Sequence, residues 1–253
     1  MHIDTLGQGP DLVLLHGWAL NGGIFAPLVE RLSAQYRLHL VDLPGHGHSR
    51  GDDTPLALPH VVSAIAAATP PAVWLGWSLG GLFALHAAAT QPQVRGLAML
   101  AATPRFVRGS DWPHAVEPQV FEQFGRDLAE DYRGTLDRFL ALDTLGSAHA
   151  RAELRTLRAA LDARGAPNPH VLQDGLTLLE RTDLRRALPG LRVPSLWIGG
   201  QRDRLVPPAG MEAAAALAPN ARALIVAGGG HAPFLGHADA IAEALRDFLA
   251  ALD

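Results

Sequence analysis

A chain of 253 residues, 48% hydrophobic and 18% charged, can build one substantial core and has neither a disordered nor a fibrous composition. Its formal net charge of -4 excludes a general attraction to nucleic acid or anionic membrane, and the absence of cysteine excludes disulfides, thiol catalysis and zinc-thiolate sites. The start, Met1-His2-Ile3-Asp4-Thr5-Leu6-Gly7, carries an early acid and no basic segment leading into an apolar run, and no later stretch approaches a membrane span. A cytoplasmic monomer without nucleic-acid or membrane partners is the expectation.

The first apolar run, 12–15, reads as a strand opening into His16-Gly17-Trp18. A helix over 25–34 follows, then a strand over 36–41 that opens into Asp42-Leu43-Pro44-Gly45-His46-Gly47. The run 72–75 leads into Gly76-Trp77-Ser78-Leu79-Gly80 and a helical stretch over 81–89, and 94–101 is the next strand. Short, nearly continuous apolar strands alternating with helices are what a parallel sheet covered on both faces requires. Between 107 and 188 the pattern becomes purely helical, with amphipathic stretches at 116–128, 132–142, 148–163 and 169–179 separated by breakers such as Arg164-Gly165-Ala166-Pro167-Asn168-Pro169. Strands at 195–199 and 223–227 and a closing helix at 238–251 then resume the alternation. The expected architecture is therefore α/β, with a core of 1–106 and 189–253 and an all-helical lid inserted over 107–188. A separate terminal domain would not be flanked on both sides by sheet strands.

The pentapeptide 76–80 matches G-x-S-x-G between a strand and a helix, the context in which this pattern forms a nucleophile elbow that exposes a serine at a strained turn. A serine hydroxyl needs a base in contact, and the base needs an orienting acid. Asp203 follows the strand at 195–199, and His231 follows the next strand, in Gly228-Gly229-Gly230-His231. An isolated aspartate after a strand is usually a turn or cap, and His231 is one of 12 histidines. Their joint placement in the order Ser78, Asp203, His231 predicts a catalytic triad. The oxyanion of a tetrahedral intermediate then calls for backbone donors, expected from Leu79 at the helix start and Trp18 in the early loop. His16 reads as a loop brace. His46 and His48 lack the acidic neighbours of a metal site, so neither metal nor cofactor is expected.

The motifs Leu14-Leu15-His16-Gly17-Trp18, Val41-Asp42-Leu43-Pro44-Gly45-His46-Gly47-His48-Ser49, Trp74-Leu75-Gly76-Trp77-Ser78-Leu79-Gly80-Gly81 and His231-Ala232-Pro233-Phe234 resemble those of the α/β-hydrolase superfamily. More narrowly, the Trp-Leu-Gly-Trp-Ser-Leu-Gly-Gly run and the segment Arg138-Phe139-Leu140-Ala141-Leu142 resemble the pimeloyl-[acyl-carrier protein] methyl ester esterases of biotin synthesis. The resemblance implies a serine carboxylesterase that hydrolyses the methyl ester of pimeloyl-acyl-carrier protein. It also implies substrate contacts at Trp18, Ser78, Leu79, Phe139, Leu140, Ala141, Leu142, Asp143 and His231, with Asp143 standing where a glutamine is expected. Apolar Trp18, Trp77, Leu79, Phe139 and Leu142 suit an aliphatic acyl chain. Arg151, Arg155 and Arg158 fall on one helical face and, with Arg138 and Arg133, offer a basic patch to an acidic carrier protein. The same triad serves a general short-chain carboxylesterase, an enol-lactonase or a carbon-carbon bond hydrolase, and the pocket alone serves a ligand receptor.

Overall fold

A computed structural model describes residues 1–252. Its elements in chain order are β1 (His2–Gly7), β2 (Asp11–Leu15), α1 (Ala26–Leu32), β3 (Arg37–Asp42), α2 (Leu58–Ala68), β4 (Ala72–Trp77), α3 (Leu79–Thr90), β5 (Val94–Leu100), α4 (Gln119–Glu130), α5 (Tyr132–Asp143), α6 (Ala150–Arg164), α7 (Pro169–Arg181), β6 (Ser195–Gly200), α8 (Pro208–Ala215), β7 (Ala221–Val226), α9 (Pro233–Gly236) and α10 (Ala238–Ala250). The strands form one seven-stranded sheet in the order β1-β3-β2-β4-β5-β6-β7. All neighbours are parallel except β1, which pairs antiparallel with β3 at the edge.

The central strands are apolar throughout because helices deny solvent to both faces. Every residue of β4 is buried, and Leu12, Val13, Leu14 and Leu15 of β2 are fully covered. The edge strand β1 has the opposite character, with no fully buried residue and polar His2, Asp4 and Thr5 along it. Its lack of an apolar run is why strand periodicity does not reveal it. The helix α2 is likewise absent from the sequence expectation: its Ala-rich 58–68 gives a weak apolar stripe of Val61, Val62 and Ile65. Among the described residues, no helix is long and apolar enough to cross a membrane.

The segment between the adjacent strands β5 and β6 contains α4 to α7, a 3-10 helix over Arg185–Gly190 and isolated bridges at Val107 to Val116 and Gly109 to Trp112. Each helix is amphipathic in a readable way. In α5 the buried positions Leu136, Phe139, Leu140 and Asp143 recur at three- and four-residue spacing, and the Asp131 carboxylate caps its first turn by accepting the Gly134 N–H at 2.9 Å. In α7, Pro169 occupies the first turn and Val171, Leu172, Leu176 and Leu179 face inward. The first helix begins at Gln119 rather than at 116, because Val116 is held in a bridge to Val107 and Pro118 sets the turn.

Candidate active site

The loops at the carboxyl ends of β2, β4, β6 and β7 meet beneath the helical insertion, at the edge where open α/β sheets present their sites. Ser78 lies between the last residue of β4 and the first of α3, with φ 54° and ψ -121°. A non-glycine residue held in that region stores backbone strain, of order 1–3 kcal/mol, and persists only where the surroundings over-determine it. They do so here: the Ser78 N–H donates to the Leu100 carbonyl at 3.0 Å, and the turn is so tight that a Cβ on Gly76 would lie 2.3 Å from the Gly80 carbonyl oxygen.

The Ser78 Oγ lies 2.8 Å from His231 Nε2, and His231 Nδ1 lies 2.8 Å from Asp203 Oδ2. The carboxylate accepts from Nδ1–H, which leaves Nε2 to accept from the serine hydroxyl. The other oxygen of Asp203 accepts the N–H groups of Leu205 and Val206, each at 2.8 Å, so the acid is fully engaged and fixed. Burial works against a charged imidazole, but the Asp203 charge and hydrogen bond, joined by the charge of Asp143, outweigh it and raise the His231 pKa above its ordinary value. The His231 backbone is held at both ends: its carbonyl accepts the Trp77 indole N–H at 2.8 Å, and its N–H donates to the Asp143 carbonyl at 3.0 Å.

Leu79 opens α3, so its N–H has no helical acceptor, and neither it nor the Trp18 N–H finds a partner among the described residues. Two free backbone donors beside a serine hydroxyl suit a developing oxyanion. The Trp18 side chain turns into the insertion, where its indole N–H donates to the Leu172 carbonyl at 2.8 Å and its ring packs 4.5 Å from that of Phe139. The close approach of α7 needs Gly175, where a Cβ would meet the Trp18 ring at 2.7 Å. These contacts seal the site: Ser78 and His231 are each 1% exposed.

The structure thus brings together Ser78, Asp203, His231, Trp18, Leu79, Phe139 and Asp143. Leu142 is half-buried beside them in sequence, whereas Ala141 faces solvent and Leu140 lines a groove between α5 and α6 with Leu136, Leu161, Arg133 and Arg158. Of the five arginines expected to form one basic patch, Arg133 lines that same groove and the other four divide into pairs. Arg138 is bound to Asp127 and Asp131, and Arg158 to Asp137. Arg151 and Arg155 lie together in a shallow surface depression with Ser147 and His149 and make no ion pair among the described residues.

Sequence reasoning did not find the charge network under the loop after β3. Asp42 accepts the Gly22 and His48 N–H groups at 2.7 Å and both oxygens meet Arg164, the last residue of α6, which also reaches Asp4 at 2.7 Å. That network ties the insertion to the core, helped by Asn21, whose side chain donates to the Ala160 carbonyl at 2.8 Å. His16 braces two loops: its Nδ1–H donates to the Gly17 carbonyl at 2.8 Å and Nε2 accepts the Leu43 N–H at 3.0 Å. Burial lowers its pKa, and lowers that of the adjacent His46 to about 3. At the surface, His2, Asp4 and His48 bring ligand-type atoms within 4.8 Å of one another, but His2 and Asp4 already bond each other and Asp4 is committed to Arg164.

Comparison with known proteins finds relatives of the chain. The family model described as alpha/beta hydrolase fold matches residues 10–238. The chain is 79% identical over 252 residues to a pimeloyl-[acyl-carrier protein] methyl ester esterase of Xanthomonas campestris pv. campestris, and 77% identical to one of Xanthomonas oryzae pv. oryzae, covering 100% of both chains in each case. It is 75% identical to another from Stenotrophomonas maltophilia, covering 100% of this chain and 97% of that one. Among solved structures it is similar to an esterase from Exiguobacterium antarcticum, with TM-score 0.86, 22% identity and 98% and 95% of the two chains covered. An enol-lactonase from Burkholderia xenovorans gives TM-score 0.85 at 22% identity, covering 98% and 96%.

Proposed function

The chain belongs to the alpha/beta hydrolase fold family and, within it, to the pimeloyl-[acyl-carrier protein] methyl ester esterases, and from that membership we propose how its own residues carry out the reaction. It is a carboxylic ester hydrolase whose substrate is the methyl ester of pimeloyl-acyl-carrier protein. Ser78 Oγ attacks the ester carbonyl carbon as His231 Nε2 takes its proton, and Asp203 holds the imidazole in the tautomer that makes this transfer direct. The negative charge that develops on the carbonyl oxygen is received by the N–H groups of Trp18 and Leu79, the latter at the positive end of α3. Collapse of this intermediate expels methanol, protonated by His231. Water then adds to the acyl-serine with His231 again as base, and releases the free carboxylate.

The observation that carries this reading is the unbroken pair of 2.8 Å hydrogen bonds from Ser78 through His231 to Asp203, seated on a strained elbow. Trp18, Leu79, Phe139 and Leu142 supply apolar surface for the acyl chain, whose five methylenes contribute roughly 4 kcal/mol when buried, at about 0.8 kcal/mol each. The methyl end lies at Ser78 and the carrier-linked end leads outward. Docking of the carrier rests on Arg151 and Arg155, which share one surface depression and, unlike Arg138 and Arg158, have no ion-pair partner among the described residues. Methanol release from methyl pimeloyl-carrier protein, measured for the native chain and for Ser78→Ala, tests the chemistry. Rescue of a biotin auxotroph that lacks the esterase tests the substrate. Retention of turnover by Ser78→Ala, or failure to rescue by a stably expressed native chain, overturns the corresponding half.

A further inference from the structure

We propose that Asp143 is a positioning residue for this reaction, a second buried carboxylate that acts on His231 and steadies its imidazolium form. The inference rests on the roles given above to Ser78, Asp203 and His231. Asp143 ends α5 with no exposed surface, and neither of its carboxylate oxygens accepts a hydrogen bond. Its own carbonyl accepts the His231 N–H at 3.0 Å, so a direct backbone link holds the two residues side by side. A carboxylate stripped of water and of donors is costly wherever it has no charge to act on. The titratable groups that act on it are His231, on the loop after β7, and Asp203, on the loop after β6, and of these His231 alone gains positive charge during the reaction.

The two acids near the imidazole are therefore unlike. Asp203 is pinned by its hydrogen bonds to His231, Leu205 and Val206, and serves orientation. Asp143 has no bond to orient anything and contributes through its charge. Burial pushes its carboxyl up to about 7, with the positive charge of His231 pulling down and the negative charge of Asp203 adding to the rise. It changes charge near neutrality, and its ionised form helps to hold the proton on His231.

The test is kcat/KM for p-nitrophenyl butyrate against pH, for the native chain, Asp143→Asn and Asp143→Glu. His231 acts as a base above its pKa, and Asp143→Asn removes a charge that raises that pKa. The acidic limb of Asp143→Asn is therefore expected about one unit lower, with a several-fold lower plateau, while Asp143→Glu keeps the native limb. A purely structural role scales the profile at all pH values without moving its limb, and superposition of the scaled profiles overturns the proposal. Should the variants fail to fold, the native chain labelled with carboxyl-13C aspartate gives the same decision. One aspartate carbon titrating between pH 6 and 8 supports the proposal, and completion of all aspartate titrations below pH 5 overturns it. Hydrolysis surviving in Ser78→Ala overturns this inference together with the esterase reading. Loss of hydrolysis in Ser78→Ala with superposed Asp143 profiles overturns this inference alone.

Discussion

Asp42 and Asp143 are both carboxylates with no exposed surface, one under the loop after β3 and the other at the end of α5. Burial pushes each toward the neutral form. At Asp42 the push is outweighed by His16, by the amides of Gly22 and His48 and by Arg164, which hold the carboxyl below its ordinary pKa. At Asp143 no hydrogen bond answers it, and the carboxyl rises to about 7. Burial alone thus does not decide the state of a charge; the donors brought to it do. The network of Asp42, Arg164 and Asp4 fastens the helical insertion to the sheet, while the unanswered acid faces the base.

Four experiments sharpen or break this contrast. The largest effect is expected from another buried acid: Asp203→Asn should lower kcat by about 10^4-fold through loss of the correct imidazole tautomer, whereas Asp143→Asn should stay within about tenfold of native at the optimum pH. Equal losses in steady-state assays would erase the distinction between orienting and field-supplying acids. Next, Asp42→Ala leaves the Gly22 and His48 N–H groups without their acceptor and the largely buried Arg164 with Asp4 alone, and should cost about 3–5 kcal/mol, read from the denaturant midpoint at pH 7. Since the Asp42 carboxyl is depressed in the folded state, its contribution is full above the ordinary carboxylate pKa and fades as pH falls below it.

Asp143 has the opposite sign. Its folded-state pKa is raised, so the native protein binds a proton that the unfolded chain has released between about pH 4 and 7, and stability from this group falls as pH rises across that window. Asp143→Asn should therefore gain on the native chain over the same window, by roughly 4 kcal/mol at pH 8, in paired urea titrations at pH 4 and 8. The smallest effect concerns the arginines, which repeat the contrast at the surface. Arg155→Glu should raise KM for the carrier-bound ester about tenfold and abolish its salt dependence, with no change for p-nitrophenyl acetate. Arg158→Ala, whose guanidinium is already bound to Asp137, should change KM less.

The sheet and the insertion were legible in the sequence because buried strands read as apolar runs and surface helices as stripes at three- and four-residue spacing. The elbow was legible because glycine flanks a serine where strand meets helix. Long-range polar pairing leaves no such periodic mark: nothing in the sequence near Asp42 indicates Arg164, 122 residues away. The edge strand β1 was missed for a related reason, since its pairing with β3 is made by backbone and its side chains stay wet. For Asp143 a signal did exist. It stands four residues after Phe139 and seven after Leu136, on the buried stripe of α5, where an acid has no ordinary place.

The 1% exposure of Ser78 also bears on time. A seven-carbon ester cannot reach an oxygen roofed by Trp18, Phe139 and α7 until one of them moves, so each turnover starts with an opening event that precedes any chemistry. If that opening is rare, every ester sees its apparent dissociation constant divided by the same open fraction. Preference between two esters is then independent of how often the roof lifts, and only the absolute rate records it. A covalent phosphonate that traps Ser78 would act as a clock for that motion, its limiting rate at saturating reagent being the frequency of opening itself.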